Sequence, residues 1–347
     1  MPENIDRIMQ ALKEVLYFAK GADLITLNMV RNIAVDGNKV SFSIVLPKED
    51  KKSQPVLKKL CEQAIKNNFD ENAEVSVNFT VEYPSLAEVK HIIAIGSGKG
   101  GVGKSTVAAN LAIALHKIGN RVGLLDADIF GPSIPIMFDV AGDKPTIDPD
   151  SESGKIIPVE KYGIKVQSVA FFVEPSQALV WRGPMASNAL NQLIGDTKWG
   201  ELDFLVVDLP PGTSDIHLTL AQQYPLDGIA IVSTPQEVAL ADARKAFSMF
   251  NQESIRVPVL GLIENMSYFT PPELPDKKYY LFGKQGGRRL ADQERVNLLA
   301  EIPIVESICE SGDQGSPVVL DENSEVYRVF INLAHNIQAI VENKKNS

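Results

Sequence analysis

Residues 98–106 read Gly98-Lys99-Gly100-Gly101-Val102-Gly103-Lys104-Ser105-Thr106. An apolar run, His91–Ile95, leads into this stretch, and a helix-forming segment from Lys104 to about Lys117 leaves it. A glycine loop between a strand and a helix, ending in Gly-Lys-Ser, predicts a phosphate-binding loop. Glycines let backbone N–H groups turn inward around phosphate oxygens without Cβ clashes. The helix N-terminus adds partial positive charge. Working outward, near-continuous apolar runs at 121–126, 203–208, 228–233, 258–263 and 298–302 predict buried parallel strands. Helical patterns at 184–195, 216–224, 237–251 and 284–294 fall between them. The fold class that follows is α/β, a doubly wound and mainly parallel sheet. The stretch 139–167, with its Gly, Pro and Asp, predicts an insertion containing a hairpin.

The loop predicts the chemistry of a MgATP site. Lys104 is placed to reach the β- and γ-phosphates, and the Ser105 hydroxyl to ligate Mg²⁺. Ligands of parallel α/β sheets bind beyond the carboxyl ends of strands. Asp126 and Asp128 follow one strand run, and Asp208 ends another. Asp208 is the candidate to hold magnesium through water, Asp126 to support that site, and Asp128 to orient the attacking water. The next residues, Leu209-Pro210-Pro211-Gly212-Thr213, read as a switch loop whose Gly212 N–H would sense a γ-phosphate.

Ahead of this region the pattern is αββαβ. Helical spacing runs from Ile5 to Leu16 and again over 54–68; strand runs fall at 24–34, 39–46 and 75–81. Tyr83-Pro84-Ser85 breaks the pattern. The predicted division is 1–83 as a small α/β domain, 84–90 as linker and 91–347 as the phosphate-binding domain. A net charge of −10 argues against a nucleic-acid partner over the whole surface. Two cysteines, Cys61 and Cys309, make no disulfide framework and point to a reducing compartment. With no apolar run long enough for a bilayer and no leader pattern, the expectation is a cytoplasmic protein without membrane attachment. The four histidines lack metal-ligand spacing, and the apolar face of the last helix predicts packing on its own domain.

Lys99, a second lysine inside the loop, resembles the deviant phosphate loop of the MinD, ParA and nitrogenase-iron-protein group. That resemblance implies an ATP-stabilised homodimer in which Lys99 crosses to the partner's nucleotide, joining Lys104 and Asp128 in catalysis. The run Trp199–Asp215 and the segments Asp128–Pro135 and Trp181–Met185 narrow it further. They resemble the Mrp/ApbC family of iron–sulfur cluster carriers, and the preceding unit resembles the MIP18-like domain that often accompanies them. The family implies slow ATP hydrolysis, a [4Fe–4S] cluster held between subunits, and its transfer to apo client proteins. It also implies nucleotide contacts along 98–106 and adenine contacts from Asn265 and the segment at Pro303. The chain departs from the pattern after Glu264-Asn265-Met266-Ser267. Where carriers place Cys-x-x-Cys, residues 268–283 contain no cysteine. Cys309 is left as the candidate cluster ligand, with a small packing residue as its alternative reading. The rival function is a nucleotide-gated switch of the MinD/ParA kind that has lost cluster binding.

Overall fold

A computed structural model describes every residue except 1, 28, 48–49, 83–85, 152–153, 174–182, 253–254, 256 and 346–347. Trp181 and Arg182 of the quoted segment therefore lie outside the described residues, as do 83–85 of the linker. The chain forms two compact units, Met1–Pro84 and Ser85–Ser347.

The first unit contains α1 (Pro2–Leu12), β1 (Leu16–Tyr17), β2 (Ala22–Asp23), β3 (Val30–Asp36), β4 (Lys39–Pro47), α2 (Gln54–Asn68) and β5 (Glu74–Glu82). β3, β4 and β5 form one sheet, with β3 antiparallel and β5 parallel to β4. The helical spacing of Ile8 and Leu12 does not carry on to Leu16. The chain turns at Lys13–Val15, and Leu16–Tyr17 pairs with Ala22–Asp23 as a small hairpin. Residues 24–27, read from sequence as strand, form a turn because Asp23 accepts the N–H groups of Ile25 and Thr26. Ile8, Leu12, Phe42, Ile44, Leu57 and Cys61 close the core of this unit.

The second unit runs β6 (Val89–Ser97), α3 (Lys104–Lys117), β7 (Val122–Asp126), α4 (Ile134–Met137), β8 (Thr146–Ile147), β9 (Ile156–Ile157), β10 (Val159–Lys161), β11 (Ile164–Ser168), α5 (Gly183–Gly195), β12 (Leu202–Asp208), α6 (Asp215–Gln223), β13 (Gly228–Ser233), α7 (Glu237–Phe250), β14 (Val259–Glu264), α8 (Gly286–Glu294), β15 (Leu298–Glu301), α9 (Glu306–Asp313) and α10 (Tyr327–Lys345). Its main sheet has the order β10-β11-β7-β12-β6-β13-β14-β15. Every pairing is parallel except β10 with β11. The stretch 139–167 is thus more than an insertion. It holds the small β8–β9 hairpin, and it also supplies β11, a parallel strand of the main sheet. β7 and β13 are buried along their whole length, as strands covered on both faces must be.

α3 lies against the sheet through Val107, Ala108, Leu111 and Leu115, all at most 1% exposed. Its alanines permit close approach. α10 covers it with Phe330, Leu333, Ile337 and Val341, also buried, so the last helix packs on its own unit. β6 is central, and the chain leaves it first toward β7 and later toward β13. That reversal opens the crevice where doubly wound sheets bind ligands.

Candidate functional site

The register of the sheet brings the strand-end carboxylates together. Asp208 pairs with Asp126 across β12 and β7, and with Ile95 across β12 and β6. Both carboxylates therefore emerge at one level beside the loop that follows β6. Gly103, at φ +82, turns the chain into α3, whose first residue is Lys104. The Lys104 ammonium donates to Asp208 Oδ1 at 2.6 Å and to Ser105 Oγ at 3.0 Å. It lies 3.7 Å from Asp128 Oδ2. Lys104 is 6% exposed and Asp208 fully buried.

These charges are held away from water. Burial pushes the Asp126 carboxyl well above the ordinary carboxylate range, and the neighbouring Asp208 charge adds to the effect. Burial raises Asp208 and Asp128 as well, against the pull of the Lys104 cation. One lysine thus faces three carboxyl groups, and Asp208 Oδ2 has no hydrogen-bond partner although it is buried. An orphaned carboxylate oxygen beside a hydroxyl and a second carboxylate is a donor set that suits a hard divalent cation. Among the described residues, no three or more His, Cys, Asp or Glu side chains form a metal cage. Magnesium keeps several waters and takes phosphate oxygens beside one or two carboxylates, so the Ser105 hydroxyl and Asp208 would be enough protein ligands for it.

Asp126 is placed differently from the other two. Its oxygens accept the N–H groups of Asp128 and Ile134 and the hydroxyl of Ser168, each at 3.2 Å. It ties down the loop carrying Asp128. The glycines of the phosphate loop are required where neighbours crowd them. A Cβ on Gly98 would lie 2.2 Å from the Asp242 backbone in α7, and one on Gly103 would lie 2.2 Å from Asn265 Nδ2. A Cβ on Gly100 would just touch Pro211 Cγ at 4.0 Å, and Gly101, at φ +79, faces open space. Val102 is buried, Lys99, Ser105 and Thr106 are half-buried, and the Lys99 carbonyl accepts the Ser97 hydroxyl at 2.9 Å.

Asn265 donates from Nδ2 to the Val102 carbonyl at 2.9 Å, so its amide braces the phosphate loop. Pro303 is buried one strand away, where Ser267 N–H donates to Ile302 and Ile304 N–H donates to Tyr268. The two segments expected beside a nucleotide base are therefore neighbours. The Gly212 N–H, expected to sense a γ-phosphate, donates here to the Ser97 carbonyl at 2.8 Å, which anchors the switch loop to β6. Cys61 is buried in the first unit, and burial pushes its thiol up to about 12. Cys309 is exposed on α9, the helix that follows β15 and therefore lies beyond the same strand ends.

Two residues of this region escaped the reading of the sequence. Glu264, 2% exposed, accepts hydrogen bonds from the Ser267 hydroxyl and the Gly287 N–H, fixing the Asn265 turn against α8. His217 holds the switch loop, accepting from the Ser214 N–H and bonding the Pro210 carbonyl, both at 3.0 Å. Metal spacing is the wrong search for such a histidine. The available signal was Ser214-x-x-His217 at a helix start, the spacing of a capping box.

Comparison with known proteins agrees with this geometry. Residues 88–338 match the family model described as NUBPL iron-transfer P-loop NTPase, and residues 5–91 match that of iron-sulfur cluster assembly proteins. The chain is 51% identical over 261 residues to an iron-sulfur cluster carrier protein of Aquifex aeolicus, covering 74% of this chain and 70% of the relative. It is 42% identical over 326 residues to one from Synechocystis, covering 91% and 92%. Among solved structures it resembles a nucleotide-binding protein in complex with ADP from Archaeoglobus fulgidus, with a TM-score of 0.60 and 38% identity over 69% of this chain and 92% of that one. The MinD ATPase of Pyrococcus furiosus, at 24% identity and a TM-score of 0.51, shares the fold. With about 250 of its residues inside one family model and relatives this similar over most of their length, the chain belongs to the NUBPL-type iron-transfer P-loop NTPases.

Proposed function

We propose that this chain is an ATP-hydrolysing carrier of iron–sulfur clusters that works as a homodimer and hands its cargo to apo client proteins. The observation that carries the nucleotide half is Lys104 held between Asp208 and Asp128 at the switch point of the sheet. Residues 98–106 wrap the triphosphate, while Asn265 and Pro303 flank the base. Lys104 turns from Asp208 toward the β- and γ-phosphates. Ser105 and Asp208 hold Mg²⁺, which neutralises phosphate charge when bound. Asp128 orients the attacking water, and Asp126 acts through the loop that carries Asp128. Lys99 reaches the nucleotide of the second copy, so that hydrolysis loosens the dimer and turnover is slow. In this scheme the ATPase begins with β6 at Val89, two residues before the bound of 91 expected from the sequence, the linker shortens from 84–90 to 84–88, and 1–83 is a separate MIP18-like domain.

The cargo half rests on family membership and on Cys309, the exposed thiol of the pair. Two copies supply two thiolates, half of the four that a [4Fe–4S] cluster takes. The client completes the coordination, which makes transfer part of binding. The rival reading, a nucleotide-gated switch without cargo, draws on the cysteine-free 268–283 segment. Anaerobic iron and sulfide analysis of wild type and Cys309→Ala, with ATP binding followed by calorimetry, separates the two. The carrier reading expects a cluster absorption band in wild type that is lost in the variant. Normal ATP binding with no retained iron in either protein would favour the switch.

A further inference from the structure

The chain leaves Asp208 through the loop Leu209–Ser214, which forms one wall of a cleft of about 270 Å³. Asp128, Phe130 and Gly131 form the other wall, and Pro210, Pro211 and Ser214 face them. The near half of this loop is tied to β6. Leu209 N–H donates to Ile95 at 3.0 Å, and Gly212 N–H donates to Ser97 at 2.8 Å. Two consecutive prolines bring no N–H groups of their own, and the Pro210 carbonyl finds its partner outside the loop.

That partner is His217, on the first turn of α6 and 1% exposed. A backbone amide can only donate, so the Ser214 N–H makes Nδ1 an acceptor. The ring proton then sits on Nε2, which donates to Pro210. Phe250 of α7 packs against the ring, with centroids 6.2 Å apart. We propose that His217 is a positioning residue for hydrolysis, a neutral imidazole clasp that fixes the Pro210–Ser214 wall opposite Asp128. This deepens the nucleotide reading above and rests on it.

A plain helix cap does not account for the arrangement. A residue at this position of a capping box needs only an acceptor for the N-cap amide. His217 also donates to a carbonyl seven residues back, beyond the helix, and so closes the loop on itself. The Ser214 hydroxyl lies 3.0 Å from the same Nδ1, and Ser214 lines the cleft. The Ser214 bond holds only while the imidazole is neutral, because a proton on Nδ1 would oppose the Ser214 amide; the Nε2–H bond to Pro210 survives protonation, so acid opens one half of the clasp. Freed from the clasp, the wall loses its register with Asp128, whose oxygen must stand within hydrogen-bond reach of the attacking water.

The test compares wild type, His217→Leu and His217→Gln for ATP affinity by calorimetry and for turnover. Glutamine keeps one acceptor and one donor; leucine fills the space with neither. The leucine variant should keep ATP affinity within about threefold and lose roughly tenfold or more in kcat, the scale set by misplacement of a reacting group. Glutamine should recover most of that loss. Should leucine fail to fold, His217→Met fills the same space with a more adaptable chain. Wild-type kcat per folded molecule in the apolar variants, or equal losses in Gln and Leu, would overturn the clasp. Wild-type protein that takes up no ATP would instead overturn the nucleotide reading, and the clasp with it.

Discussion

Two loops leave the same edge of the main sheet and are built on opposite terms. The phosphate loop after β6 is crowded by α7 and Asn265, and it delivers Lys104 among three buried or nearly buried carboxyl groups. The segment after β14 projects as a hairpin whose residues 272–281 are exposed. Its ties are a Phe269–Tyr279 pair, at 2.8 Å in both directions, and Lys278 stacked 3.7 Å over Tyr268. Around Lys104 and its carboxyl groups water is excluded, so each charge depends on the others and one change propagates. At the second, solvent screens and repairs, so changes stay local. Chemistry that requires fixed charges sits in the first environment. The segment where the family resemblance expects cluster thiolates lies in the second.

The largest expected effect comes from Lys104→Ala. It leaves Asp208 buried without its cation, a situation that costs about 3–5 kcal/mol. Denaturant unfolding should register that loss, and ATP turnover should fall at least ~100-fold. A variant with wild-type stability would mean that the carboxylates are already satisfied without the lysine, and the contrast between the loops would lose its basis.

The second test uses pH. Burial pushes the His217 imidazole down to about 4, from an ordinary 6.5. Because the folded state favours the neutral ring, the associated stability is complete above pH 6.5. It is lost as pH falls through that value toward 4. The interval of about 2.5 pH units corresponds to about 3 kcal/mol at its acid end. Asp126, Asp128 and Asp208 shift the opposite way, since their raised values favour the protonated forms that acid supplies. The measurement is therefore the difference between wild type and His217→Gln, which should change by that amount between pH 7 and pH 4. A difference that stays flat would show that the ring titrates freely.

The phosphate loop was legible because its glycines, lysine and flanking apolar runs are contiguous, and the strand-end aspartates followed from the rule of the doubly wound sheet. What could not be read depended on partners distant in sequence. β11 was hidden because Lys165 and Gln167 interrupt its apolar run. Gln167 is nonetheless buried, bonded to Thr197 thirty residues away. α4 and α9 are too short to show a period. The carboxylate of Asp126 could be placed at the site, but not its saturation by Asp128, Ile134 and Ser168, since that depends on how the following loop folds back. Asn265 was expected at the base. Its bond to Val102 joins residues 163 apart and has no local signature.

That bond gives the next prediction. Asn265→Ala leaves the buried Val102 carbonyl without its donor, at a cost of about 1–2 kcal/mol. If the cost is felt in the geometry of the phosphate loop, ATP affinity should weaken roughly tenfold, with kcat less affected. Calorimetry checks it. Unchanged affinity would mean that the loop holds its shape without the brace, and that its close approach to α7 at Gly98 is enough to set it.

The smallest effect should come from the hairpin. Lys278→Ala removes one cation–π contact at an exposed site, worth about 0.5–1 kcal/mol. The tip can influence the nucleotide only through the base of the hairpin. There Ile304 N–H donates to Tyr268 at 2.7 Å and Ser267 N–H donates to Ile302 at 2.9 Å. Those are backbone bonds, and truncating Lys278 leaves both intact. ATP turnover should therefore stay within about twofold of wild type, as for a surface substitution away from buried features. A tenfold change would show that the hairpin senses the nucleotide through Ser267 and Asn265. The two loops would then be one coupled device, and the cysteine-free segment would belong to the ATP cycle rather than to cargo.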